Sequence, residues 1–145
     1  YTGARLAPIK RNITTFAQET DVWIEVTTLI VPELNDSDAE LRAAAEWLAS
    51  VSPDIPWHLS AFHPQHRMRD RGRTPQETLQ RAHQIGKDAG LRFVYVGNVF
   101  DPDRSNTYCY NCGQLLIQRF GFSAKRLWDE VGVCPNCGTV NPGVW

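Results

Sequence analysis

The chain contains no apolar run approaching the roughly 20 residues that a membrane-spanning helix requires, and its first residues do not read as a signal peptide. It carries no excess of one charge: 15 Lys and Arg stand against 16 Asp and Glu, for a net charge of −1. Nothing electrostatic therefore calls for a nucleic acid or an anionic membrane as its main partner. No cysteine lies outside two Cys-x-x-Cys pairs. Disulfide-stapled secreted domains scatter their cysteines through loops, so this pattern favours metal in a reducing cytoplasm. Also missing are internal repeats, low-complexity tracts, a Ser-His-Asp order, a phosphate loop and a paired-carboxylate constellation. Glu25 and Glu33 flank a strand and a turn with no sign of proton transfer between them. The first residue is Tyr1 rather than Met, and the opening dozen residues read as the middle of something, so a fragment of a longer protein is expected.

What is present is a chain of 145 residues, 42% hydrophobic and 21% charged, enough for one ordinary domain or a smaller one with an appendage. Residues 6–18 space Leu6, Ile9, Ile13 and Phe16 three or four apart, one apolar helical face. Residues 22–31 (VWIEVTTLIV) are β-branched and apolar and end at Pro32, as a buried strand would. Ser37 and Glu40 form a capping box for a helix with Leu41, Ala44, Leu48 and Val51 on its apolar face. Pro53 and Pro56 break it, and residues 57–62 (WHLSAF) give a second strand. After a His- and Arg-rich loop, 63–73, Thr74 and Glu77 suggest another capping box with Pro75 at the first helical position. That helix carries Leu79, Ala82, Ile85 and Ala89 and stops at Gly90. Residues 93–96 (FVYV) form a third buried strand, closing at Gly97-Asn98.

Helices alternating with strands point to an α/β fold with a parallel sheet. Three strands cannot close a barrel, and alone they leave an edge exposed. The pattern fits the latter half of a larger α/β barrel, residues 1–99. Residues 100–106 (FDPDRSN) then read as a polar linker into a second unit, 100–145.

That unit holds all four cysteines: Cys109 and Cys112, 21 intervening residues, then Cys134 and Cys137, each pair running into Gly (CYNCG, CPNCG). Two residues between cysteines let a tight turn aim both sulfurs at one ion, and the following Gly permits the positive φ such a knuckle needs. Residues 115–120 (LLIQRF) read as a strand between the knuckles, with Gly121 as a turn. A closed site of four thiolates suits structural Zn²⁺, with mononuclear iron as the second choice and an iron–sulfur cluster behind it. Four free thiols or a disulfide are the plainer alternatives. Zinc ribbons often bind nucleic acid, but here Arg119, Lys125 and Arg126 are opposed by Asp129 and Glu130, which is no footprint for phosphates.

Five runs together carry a family resemblance: VTTLIVPELNDS (26–37), IPWHLSAFHP (55–64), LRFVYVGNV (91–99), NTYCYNCGQLLIQR (106–119) and CPNCGTVNPGVW (134–145). They resemble the C-terminal half of the AmmeMemoRadiSam-system radical SAM enzymes, relatives of the pyruvate formate-lyase activating enzymes, over nearly the whole chain from Thr2. The resemblance implies a partial (β/α) barrel in which a 4Fe–4S cluster and S-adenosylmethionine meet at the C-terminal ends of the strands. It implies reductive cleavage of the sulfonium to a 5′-deoxyadenosyl radical and hydrogen abstraction from a substrate that stays unidentified, a protein included. In that family the cluster is held by Cys-x3-Cys-x2-Cys early in the barrel. This chain has no such motif, so the missing N-terminal half of the barrel is the expected home of the cluster and this chain alone is expected to be inactive.

In such barrels the functional positions lie where strands end, here Val31-Pro32, Phe62-His63 and Gly97-Asn98. His63 matches the His that follows the corresponding strand in activating enzymes, where it lines the S-adenosylmethionine pocket; a loop histidine facing water is the plainer role. Asn98 is a second candidate for cofactor contact, set against an ordinary turn asparagine. Thr27 or Thr28 could face the barrel interior or simply pack. The basic loop residues His66, Arg67, Arg69, Arg71 and Arg73 are either solvated or steer an anionic partner. The tryptophans read as core or interface anchors. The competing reading of the whole is a stand-alone zinc-ribbon interaction module on an α/β scaffold.

Overall fold

In a computed structural model the chain forms a mixed α/β structure, described for residues 3–128 and 130–145. Tyr1, Thr2 and Asp129, the last counted above among the acidic side chains of the ribbon, lie outside the described residues. The first part is α1 (Leu6–Glu19), β1 (Val26–Ile30), α2 (Asp38–Val51), β2 (Trp57–Ala61), α3 (Gln76–Asp88) and β3 (Val94–Gly97). Its strands form a parallel sheet in the order β1-β2-β3, with Thr27, His58 and Tyr95 in one row and Leu29, Ser60 and Gly97 in another.

Alternation along these strands decides which face is inside. Ile30, Trp57, Leu59, Ala61, Val94 and Val96 point into one core with Leu41, Ala45 and Leu48 of α2 and Leu79, Ala82 and Ile85 of α3. Trp57 is wholly buried there, and its indole Nε1 donates to Thr28 Oγ1 at 2.9 Å. The residues of the opposite face, which α2 and α3 do not cover, alternate with the buried ones. Thr27 and Leu29 are exposed on that face, Leu29 by 47%. The expected buried first strand is therefore shorter than the apolar run, and only one of its faces is covered. Residues 21–25 have no strand partner and stay irregular.

α1 forms where its spacing predicts, yet none of its residues is fully buried. Ile13 and Ala17 touch the core, whereas Phe16 is exposed and Leu6 and Ile9 remain exposed beside a groove shared with α2 and β1. On α2 half of the expected capping box is present: Ser37 Oγ accepts from Glu40 N at 3.3 Å, and the Ser37 hydroxyl, in place of its backbone N–H, donates to Glu40 Oε2 at 2.7 Å. Ala45 rather than Ala44 is the fully buried alanine of that helix.

The second expected capping box is absent. Pro75, not Thr74, occupies the N-cap of α3. The Thr74 side chain is spent elsewhere: its hydroxyl accepts from Phe62 N at 2.7 Å and donates to Ile30 O at 2.6 Å, tying the ends of β1 and β2 together.

The segment read as a linker is also ordered. Pro102–Ser105 make one helical turn, α4, capped by Asp101, whose buried carboxylate accepts from Arg104 N and pairs with the Arg104 guanidinium at 3.2 Å. Beyond it β4 (Thr107–Tyr108), β5 (Leu115–Phe120) and β6 (Ser123–Arg126) form an antiparallel sheet in that order, with β6 an addition to what the pattern predicts. Among the described residues no helix is long and apolar enough to cross a membrane.

The Thr74 bridge gives a test of this arrangement. Thr74→Val keeps the shape but leaves the buried Phe62 N–H and Ile30 C=O without partners, an expected loss of about 2 kcal/mol in denaturant unfolding. An unchanged midpoint would mean that the hydroxyl is not what holds the strand ends.

Candidate metal centre

The four thiols come together as their spacing predicts. Cys109 Sγ lies 3.7 Å from Cys137 Sγ and Cys112 Sγ lies 3.6 Å from Cys134 Sγ. All four sulfurs sit within 4.8 Å of one another. A disulfide would need about 2.05 Å, so none is formed. Four sulfurs about 2.3 Å from one tetrahedral ion would be about 3.8 Å apart, and the set fits a single metal ion. A cubane cluster, with an iron under each thiolate, needs the sulfurs set farther apart.

The two knuckles repeat each other bond for bond. Cys109 N donates to Gln114 O at 2.8 Å and Gly113 N to Cys109 O at 2.9 Å; Cys134 N donates to Thr139 O and Gly138 N to Cys134 O, both at 2.9 Å. Gly113 and Gly138 stand at φ +74° and +70°, the left-handed conformation that a side chain would strain. Each knuckle also lends an amide to the other. Asn111 Nδ2 donates to Cys137 Sγ at 3.7 Å, and Asn136 Nδ2 donates to Cys112 Sγ at 3.5 Å.

Asn141, only 1% exposed, anchors the remainder. Its Nδ2 donates to Cys109 Sγ at 3.7 Å and to Thr139 O at 3.0 Å, while its Oδ1 accepts from Tyr110 N at 3.2 Å. Its carbonyl accepts from Trp145 Nε1 at 3.1 Å, and the Trp145 ring meets Trp128 edge-on at 5.8 Å. Such outer contacts orient ligands and spread their charge. The hydroxyl and backbone N–H of Thr139 pull the Cys137 thiol down to about 6, whereas burial pushes Cys134 up to about 11.

The ribbon is fastened to the parallel sheet at its open face. Tyr95 OH and Thr107 Oγ1 are 2.9 Å apart, and the Arg119 guanidinium lies over the Tyr95 ring at 5.2 Å. Arg119 Nη1 donates to Thr107 Oγ1 at 2.7 Å and to Ser105 O at 3.1 Å. Farther along, Arg92 pairs with Asp54 at 2.6 Å and lies over the Tyr110 ring at 4.2 Å.

At the strand ends, His63 and Asn98 are brought together. His63 Nε2 lies 3.2 Å from Asn98 O, and Asn98, in left-handed backbone at φ +65°, donates from Nδ2 to Ala61 O at 2.9 Å. Of the mid-strand threonines, Thr27 faces the open side and Thr28 packs on Trp57. Of the loop arginines, Arg71 is not simply solvated: Nη1 donates to Pro32 O and to Glu33 Oε2, each at 3.2 Å, clamping the loop after β1. His66, Arg67, Arg69 and Arg73 are exposed.

One cluster was not singled out by sequence reasoning. On the open face His58 Nε2 lies 2.7 Å from Glu25 Oε2, and the His58 ring stacks on Tyr95 at 5.1 Å. The available signal is period two: in WHLSAF and FVYV the polar His58 and Tyr95 alternate with buried apolar residues and share the face those residues avoid.

The chain is 41% identical over 125 residues to the uncharacterized protein MJ0808 of Methanocaldococcus jannaschii, an alignment covering 84% of this chain and 38% of that protein. The chain thus spans well under half the length of this relative. No protein-family model and no solved structure matches it.

A metal held this way has measurable consequences. Asn141→Ala should weaken metal binding about 10- to 100-fold in competition with a chromophoric chelator. Affinity should also fall on acidification, because the thiols must lose protons to bind. A metal-free chain whose tail stays folded, or an Asn141→Ala variant with undiminished affinity, contradicts this picture.

Proposed function

We propose that this chain is the C-terminal part of a radical SAM enzyme, the latter half of its partial (β/α) barrel followed by a zinc-bearing ribbon. The observation that carries the reading is the one-sided sheet: three parallel strands whose crossover helices, α2 and α3, both pack on the same face. A closed barrel is covered outside by helices and filled inside by its own strands, so a segment of one has this asymmetry. The motif runs VTTLIVPELNDS, IPWHLSAFHP and LRFVYVGNV supply β1, β2, β3 and the loops at their ends.

In the full-length enzyme a 4Fe–4S cluster and S-adenosylmethionine would supply a 5′-deoxyadenosyl radical. The cluster does not fit this chain, since Cys109, Cys112, Cys134 and Cys137 are drawn too tightly together and no other cysteine exists. S-adenosylmethionine would meet the strand ends, where His63 and Asn98 sit side by side. Zinc is the proposed ion of the ribbon, since a closed S₄ site with N–H donors to its sulfurs suits a structural ion; mononuclear iron is the second choice. The cytoplasm, where thiols stay reduced, is the proposed compartment.

A stand-alone interaction module is the second reading, favoured by the apolar side chains that the ribbon leaves exposed, among them Phe122, Val140 and Val144. The sequence encoded upstream of Tyr1 separates the two. An in-frame Cys-x3-Cys-x2-Cys supports the enzyme, and its absence removes that reading.

With the upstream half present, anaerobic reduction should yield 5′-deoxyadenosine, and His63→Ala should weaken S-adenosylmethionine binding in that longer protein. The 145-residue chain alone should yield none after reconstitution with iron and sulfide; turnover by it would overturn the assignment. Elemental analysis should return one zinc per chain.

A further inference from the structure

The open face of the sheet is not featureless. His58, Tyr95 and Arg119 form a wall between two cavities of about 480 and 150 Å³, and all three residues line both. The larger one lies within the size range of small-molecule sites, which are mostly apolar with a few fixed polar groups.

The charges on this wall are unevenly spent. The Glu25 carboxylate is engaged by His58 at 2.7 Å, and the buried Asp101 carboxylate by Arg104 at 3.2 Å. Arg119 is held from three sides, by Ser105 O, by Thr107 Oγ1 and by the Tyr95 ring, yet pairs with no carboxylate among the described residues. A guanidinium fixed in place by neutral partners keeps its full charge for an incoming anion and gives up little entropy on binding it.

Asn98, Ser105 and the Arg104-paired Asp101 also line the larger cavity, together with an aromatic group. Phe100 and Phe120 meet edge-on at 5.9 Å and are each 71% exposed, and Phe122 beside them is fully exposed. Covering such rings with an apolar ligand surface removes exposed apolar area from water and favours binding. The floor is bare at Gly97: a Cβ there would meet no atom within 4 Å.

We propose that this cleft binds a small organic anion, its carboxylate at Arg119 and its flat apolar part against Phe100, Phe120 and Phe122. The assignment is independent of radical chemistry, because binding is read on the 145-residue chain itself.

The test uses the metal-loaded chain and 3-phenylpropanoate as probe, with 3-phenylpropanamide as its neutral counterpart, followed by calorimetry. One saturable site is expected. The amide should bind about tenfold more weakly or worse, the worth of a charge-assisted hydrogen bond. Gly97→Leu, whose Cβ meets no atom within 4 Å and whose side chain adds bulk at the floor, should abolish binding while circular dichroism stays unchanged. Phe122→Ser, at a fully exposed position, should weaken it severalfold. Arg119→Gln should bring the acid down to the level of the amide. Absence of saturable binding, equal affinity for acid and amide, or a folded Gly97→Leu variant that binds normally would each overturn the proposal.

Discussion

Parallel strands require crossover connections, and here the two crossovers, α2 and α3, put their apolar residues against the same face of the sheet. That one-sidedness sets everything else. It makes Trp57, Leu59 and Val96 core residues and their neighbours His58, Ser60 and Gly97 residents of a second, polar surface. It also leaves a place for the ribbon to lodge, with Thr107 and Arg119 resting on Tyr95.

The ribbon has little apolar core of its own: Cys109, Leu116 and Cys134, with Trp128 against them. Its cohesion comes instead from polar geometry, with paired knuckles, three asparagine amides aimed at sulfur, and Asn141 joining the C-terminal tryptophan to a ligand. A metal would complete this plan, since small units lacking a core commonly draw their folding energy from the ion.

The legible parts of the sequence were those whose signal is local. Cys-x-x-Cys-Gly written twice specifies two knuckles, and apolar spacing locates α2, α3 and the strands to within a few residues. What stayed hidden depends on partners far along the chain. Thr74 looks like a helix cap until Ile30 and Phe62 claim its hydroxyl from 44 and 12 residues away. Glu25, His58, Tyr95 and Arg119 come from four separate segments, and no window of sequence holds two of them. The run 22–31 is apolar throughout, yet only its second half finds a strand partner, because β2 begins at Trp57, opposite Val26.

The Asn35 side chain imitates a short piece of strand. Its Oδ1 accepts from Val31 N at 2.7 Å and its Nδ2 donates to Leu29 O at 3.0 Å. Val26 N bonds towards β2, through Pro56 O, so the odd-numbered residues of β1 turn their backbone groups to the outer edge. Asn35 therefore stops that edge at its C-terminal end and leaves Thr27 free of it. A strand added alongside β1 could slide only as far as this stop, so a single side chain sets the register of any such joint.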